Sequence, residues 1–410
     1  MDLLSVRVAG SPSAPRRVRL SAEIACDDRP GRAETWWIEV PEERAGALST
    51  TGTPWLAAML PLAATLGEPL RLRVPVDATL LAGARRILRT WHEWYLERFP
   101  EIREVAVEAE TLPASSYAGA RENAAFFSGG VDSFYMVVTN GDPGRGGGLP
   151  PIDRLVTVGG FDVPLAAREE LGRLRERLAR AAEELGRAFL DVGTNLRETR
   201  FREARWGNLA HGCALAAVGL ALEPMFASLS VAGTHYDGPV KPWGSHPATD
   251  ALLSTGATRI FHHACGVARR EKTESLVRSP AAMRHLRVCY RSRTADNCGD
   301  CHKCYLTMLT LEVAGARCQT LPPAADLRRV ARMYVRSNAY IRLYRDLAGH
   351  AKAVGRRDVA RAIERCLEHS RRLGRWLAAA DWLGERRGLW RIARRLRPRL
   401  LALAPVREPG

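Results

Sequence analysis

Between residues 123 and 232, short apolar runs alternate with helical patterns, and few architectures accommodate that alternation. Residues 124–127, 155–158, 188–192 and 226–232 read as strands. Residues 166–185 read as an amphipathic helix and 209–222 as a small-residue helix. Strand–helix alternation predicts a parallel sheet with helices on both faces. The expected fold class is therefore α/β.

The flanks differ from this centre. Residues 17–24, 35–40 and 70–76 alternate like half-buried strands, residues 78–99 carry Leu80, Leu81, Ile87, Leu88 and Trp91 at helical spacing, and 105–109 reads as a further strand. Residues 1–120 are thus expected to form an α+β domain, and they carry no chemical motif. Beyond Pro322 the chain reads as helices over 327–348, 351–373 and 376–396, with Gly374 separating the last two and Pro398 ending the third. Leu343, Leu347, Ile363, Leu367, Trp376, Trp382 and Trp390 would supply their apolar faces. The expected organisation is an N-terminal domain 1–120, a central domain 121–320 and a helical appendage 321–410.

The net charge of +16 is placed unevenly: residues 321–410 hold 22 Lys+Arg against 8 Asp+Glu, a net of +14. Such a segment suits nucleic-acid phosphates or another polyanion or protein partner. Nearly all its basic residues are Arg, which equally suits ordinary solvated helix faces. The N-terminus lacks the basic and apolar regions of a signal peptide. The apolar run near residues 55–66 contains Pro61 and is too short to span a bilayer. A cytoplasmic location is expected, so the nine cysteines are expected to be reduced, and a tight cluster points to a metal before disulfides.

The strongest chemical signal is Phe126-Phe127-Ser128-Gly129-Gly130-Val131-Asp132-Ser133. An apolar strand delivers two glycines, which let backbone approach a ligand closely. A helix then opens, and its N-terminal N–H groups and dipole favour an anion. Ser128 and Ser133 add hydroxyls, and Asp132 suits Mg²⁺ bridging phosphates. The glycine-rich stretch 141–151 lacks a following Lys-Ser/Thr and reads as a loop without chemistry. Ser128-Gly129-Gly130-Val131-Asp132-Ser133 resembles the SGGxDS signature of the ATP pyrophosphatases, or PP-loop enzymes. That resemblance implies an adenine nucleotide α-hydrolase-like, Rossmann-like fold. It also implies cleavage of Mg²⁺-bound ATP to AMP and pyrophosphate, with AMP passed to a carboxylate or carbonyl oxygen.

A second cluster lies downstream. Cys289, Cys298, Cys301 and Cys304 fall within sixteen residues, as C-x8-C-x2-C-x2-C. Four thiolates at such spacing close a tetrahedral structural zinc (Zn²⁺) site, and an iron–sulfur cluster is the chemical rival. This run is similar to the zinc motif of the 7-cyano-7-deazaguanine synthases, a PP-loop family in which the motif also follows the nucleotide domain. Glu271-Lys272-Thr273-Glu274 resembles the Lys-x-Glu segment preceding those cysteines, and Arg205-Trp206-Gly207-Asn208 loosely resembles the family's Arg-Asn segment. The resemblance covers roughly residues 121–320.

The expected chemistry has two steps. Pyrophosphate sits on residues 128–133 and adenine against the strand end at Val158 and Gly159, extending to Phe161. Lys272 or Arg269 answers the charge of the leaving pyrophosphate. A substrate oxygen attacks the α-phosphorus, and ammonia from a separate source then displaces AMP. His235, Asp237 and His246 are candidate bases or substrate anchors in the polar loop 234–250, or simply solvated loop residues; His262 and His263, adjacent on a strand, read as structural. A homo-oligomer is expected. A tRNA-thiolating sulfurtransferase is the alternative. It would need a thiol near the nucleotide: Cys265 is the candidate, and Cys213 reads as core. A non-catalytic nucleotide sensor is the third possibility.

Overall fold

The computed structural model describes residues 1–113, 117, 119–142, 148–234, 241–323 and 325–385. The chain divides into two compact units. The first comprises Met1–Ser128 and Asp132–Val267, the second Gly129–Val131 and the chain from Ala268 onward.

The first unit runs β1 (Asp2–Gly10), β2 (Arg17–Ala25), β3 (Ala33–Pro41), α1 (Thr53–Leu66), β4 (Leu70–Asp77), α2 (Ala78–Tyr95) and β5 (Val107–Leu112). It continues through β6 (Glu122–Phe126), α3 (Val131–Val138), β7 (Arg154–Gly159), α4 (Arg168–Glu184), β8 (Ala188–Thr194), α5 (His211–Leu220), β9 (Phe226–Ala232), α6 (Pro247–Asp250) and β10 (Arg259–His263). The ten strands form one mostly parallel sheet, flanked by helices, in the order β10-β9-β6-β7-β8-β3-β2-β1-β4-β5. β10, β9, β6, β7 and β8 are mutually parallel. β3 joins them antiparallel to β8, through Ile38 opposite Thr194 and Glu39 opposite Gly193. Arg17 reinforces this join: its guanidinium reaches Glu39 and Asp191, each at 2.8 Å.

Burial explains the strand patterns. Ala124, Ala125 and Phe126 are all buried, as expected of a strand covered on both faces. In β3, Trp36, Ile38 and Val40 alternate into the core while Trp37 lies under the Arg19 guanidinium, 3.9 Å from its ring centre. The run containing Pro61 is α1, whose residues 53–64 are all buried, as befits a helix apolar all round. It packs on α5 and α2. Among the described residues, no helix is long and apolar enough to cross a membrane.

The second unit is helical: α7 (Arg269–Ser275), α8 (Pro280–His285), α9 (His302–Val313), α10 (Leu327–Val330), α11 (Asn338–Ala353) and α12 (Arg357–Glu385). Gly374 does not separate two helices; α12 runs through it. An interior glycine costs about 1 kcal/mol, and packing outweighs that here: Leu373 and Leu377 are buried against Tyr334. Leu347 and Ile363 enter the core as expected, but Trp376 is 66% exposed and joins no apolar face. Trp390 and Pro398 lie outside the described residues, as does part of the 141–151 loop. Many arginines of this unit are paired: Arg356 with Glu312 and Asp358, Arg371 and Arg372 with Glu368.

Candidate functional site

The glycine turn begins where β6 ends. Phe127 N donates to Val156 O at 2.8 Å, and Thr157 Oγ1 donates to Phe127 O at 2.7 Å, so pairing with β7 continues to the residue before Ser128. Gly129 then takes φ +73°, the left-handed region that glycine enters without strain. α3 starts two residues later. Phe127 and Phe134, on either side of the turn in the chain, are buried against each other with ring centres 4.8 Å apart. Ser128 is exposed, Asp132 half-buried and Ser133 buried, and the two serine hydroxyls lie 3.5 Å apart. The turn is thus a polar rim on an apolar base.

Its place in the sheet is informative. β6 has β7 on one side and β9 on the other, and the chain passes from β6 to β7 to β8 before returning to β9. Strand order therefore reverses at β6. In open α/β sheets, ligands bind at the carboxyl ends of the strands flanking such a reversal. Val158 and Gly159 end the adjacent strand β7, both half-buried. Gly130 and Val131 lie in the turn itself, with Val131 opening α3.

Lys272 and Arg269 lie on α7 in the second unit. Lys272 is fully buried, which is rare for a lysine unless its ammonium is engaged, while Arg269 is half-buried.

The four cysteines also lie in the second unit. Cys289 and Cys301 sulfurs are 3.9 Å apart, Cys298 and Cys304 3.9 Å, Cys301 and Cys304 3.4 Å, and all four lie within 4.8 Å of one another. A tetrahedral ion with Zn–S bonds of about 2.3 Å separates its sulfurs by about 3.8 Å, so the donor set fits one metal ion such as zinc. Asn297 organises the knuckle. Its Oδ1 accepts from Val288 N (2.8 Å) and Cys289 N (3.1 Å), and its Nδ2 donates to Leu286 O at 2.9 Å. Ser292 N donates to the Cys289 sulfur at 3.1 Å, favouring its thiolate. Hydrogen bonds from the Cys301 and Cys304 thiols hold Cys289 far below the ordinary thiol range, while the hydrogen bond with Cys289 raises the Cys301 thiol. One backbone bond links the cluster's segment to the turn: Arg287 N donates to Gly129 O at 2.7 Å.

Other candidates resolve differently. Cys213 is buried and burial raises its thiol well above the usual value, so it is an inert core residue. Cys265 is half-buried just beyond β10, after Ala264 at φ +58°. His235 and Asp237 lie outside the described residues. His246 is not placed as a base: its Nδ1 accepts from Ala248 N at 3.0 Å, capping α6, and its ring packs on Trp94. His262 and His263 diverge as strand neighbours must, yet His262 is more than filler. Its Nδ1 meets Asp250 Oδ2 at 2.7 Å, in a buried group with Ser245 that no spacing in the sequence announces. No protein-family model, curated protein or solved structure matches this chain.

Proposed function

We propose that the chain binds Mg·ATP on residues 128–133 and cleaves it between the α- and β-phosphates. A carboxylate or carbonyl substrate becomes an adenylate, and nitrogen is then transferred to it. The observation that carries this is the Ser-Gly-Gly-x-Asp-Ser turn standing at the carboxyl end of β6, where strand order reverses. Motif and topology are independent, and they select the same few residues. The closeness of the motif layout to 7-cyano-7-deazaguanine synthases supports a C–N ligase of the PP-loop class.

In this proposal the α3 N-terminus and the Ser128 and Ser133 hydroxyls receive the β- and γ-phosphates, and Asp132 holds Mg²⁺. The substrate oxygen forms a bond to the α-phosphorus as the bond to pyrophosphate breaks. Charge on the leaving group is met by the turn, by Mg²⁺ and by Lys272 or Arg269. Ammonia then bonds to the activated carbon and AMP departs. The cysteine cluster would hold zinc as a structural ion, since four sulfurs leave no open position for substrate.

Asp132→Ala should weaken Mg·ATP binding at least tenfold in calorimetric titration and end AMP formation. A variant that binds and turns over ATP like the parent removes the proposal. Nucleotide binding without AMP formation under any acceptor would favour a sensor. Loss of activity in Cys265→Ser would favour sulfur transfer.

A further inference from the structure

Asp250 ends α6, is 1% exposed, and collects three donors. Ser245 Oγ donates to Oδ2 at 2.6 Å, His262 Nδ1 lies 2.7 Å from the same oxygen, and His246 N donates to Oδ1 at 3.1 Å. A carboxylate only accepts, so Nδ1 of His262 carries its proton toward Asp250, and Nε2 is left as the nitrogen that gains or loses one. The His262 side chain is 3% exposed, and Nε2 has no hydrogen-bond partner among the described residues. It lies against Gly233, where a Cβ would come within 2.4 Å of it. Nε2 is itself buried against that glycine, and only a residue without a Cβ leaves room for it at the end of β9.

The place of the pair matters as much as its chemistry. His262 is the penultimate residue of β10, which runs parallel to β9, which runs parallel to β6. All three strands end on the same side. Strands are spaced about 4.8 Å apart, so β10 lies about 10 Å from the strand that delivers the glycine turn, within the span of an adenylated small molecule. Ala264, at φ +58°, marks a strained turn immediately beyond.

We propose that His262 is the proton acceptor of this sheet edge, with Asp250 its positioning residue. The assignment rests on the adenylation proposed above. When ammonia attacks the activated carbon, the C–N bond forms and the C–O bond to AMP breaks, its electron pair leaving on the phosphate oxygen. The surplus proton on nitrogen passes to Nε2, and Asp250 pairs the imidazolium. When water attacks that carbon instead, its C–O bond forms as the C–O bond to AMP breaks, and the same nitrogen takes the proton from the attacking oxygen. Two other roles fail on geometry. Ser245 is not a nucleophile for this histidine, because it sits 3.4 Å from Nδ1 rather than at Nε2. A metal is not indicated, because the four-cysteine cluster alone among the described residues offers three or more ligands in one place.

Two measurements on the whole 410-residue chain, loaded with zinc, decide it. Long-range ¹H–¹⁵N spectra of histidine-labelled protein, with the His262 signal identified by its loss in His262→Gln, should show a protonated Nδ1 and a bare Nε2. That pattern should be lost in Asp250→Asn. The opposite tautomer, or indifference to Asp250→Asn, overturns the pair. AMP formation from Mg·ATP in ammonium acetate buffer, where acetate is the carboxylate probe and ammonia or water attacks its activated carbon, should fall at least 100-fold in kcat in His262→Gln with KM for ATP within twofold. Added imidazole should restore part of the rate to His262→Gly. Parental kcat in His262→Gln, with Asp132→Ala inactive, overturns the role of His262 alone. Absence of AMP from the parent overturns the adenylation proposal and this role with it.

Discussion

Gly129 concentrates the residue-scale requirements of the turn. Its φ of +73° is open to glycine and costs an L-residue about 1 kcal/mol, and its carbonyl is held by Arg287 N at 2.7 Å. Gly129→Ala should therefore destabilise the fold modestly, by about 1 kcal/mol in urea unfolding, while lowering Mg·ATP affinity by a larger factor, because the displaced backbone lines the proposed phosphate cradle. Equal, small effects on both would separate the turn from nucleotide binding. The turn's residues were legible because strand, glycines and helix start are chain neighbours. Asp250 and His262 were not. They stand twelve positions apart, and their contact exists only because β10 pairs with β9 and brings α6 against it. His246, the more conspicuous histidine of that loop, is instead occupied as a helix cap.

At the scale of elements, the cysteine knuckle and α12 show opposite relations between pattern and structure. The C-x8-C-x2-C-x2-C spacing is local, and its four sulfurs do converge within 4.8 Å. Metal binding by such a set supplies folding free energy to its own segment. Cys301→Ser, or prolonged chelation, should lower the melting temperature. Through the Arg287–Gly129 bond it should also weaken Mg·ATP binding, read by titration on the same samples. Unchanged nucleotide affinity after verified metal loss would show that the bond transmits nothing. Gly374 misled for the converse reason. A glycine propensity of about 1 kcal/mol is a weak local signal, and the burial of Leu373 and Leu377 beside it overrides it. Exposed Trp376, on the same helix, shows that apolar residue type alone does not identify the packed face.

For the first unit as a whole, the sheet decides what can fold. β3 pairs with β8, Arg17 bridges Glu39 and Asp191, and the wholly buried α1 lies on α5. A fragment beginning at residue 121 would expose the β8 edge and the apolar surface of α5, an invitation to association. Such a fragment should be recovered aggregated, or bind a hydrophobic dye strongly, whereas the full chain should not; a monomeric, cooperatively unfolding fragment would contradict this. The strand order also places the glycine turn at a reversal point, which is a property of the assembled sheet and of no segment within it.

By itself the amino-acid sequence determined the α/β alternation, the glycine turn between β6 and α3, and the cysteine spacing. Each rests on periodicity, turn chemistry or ligand spacing among near neighbours. Tertiary structure alone decided that ten strands share one sheet, that their order reverses at β6, and that Asp250 meets His262. These depend on pairing and burial between segments far apart in the chain, where many arrangements satisfy local preferences equally and only the packing of the whole selects one.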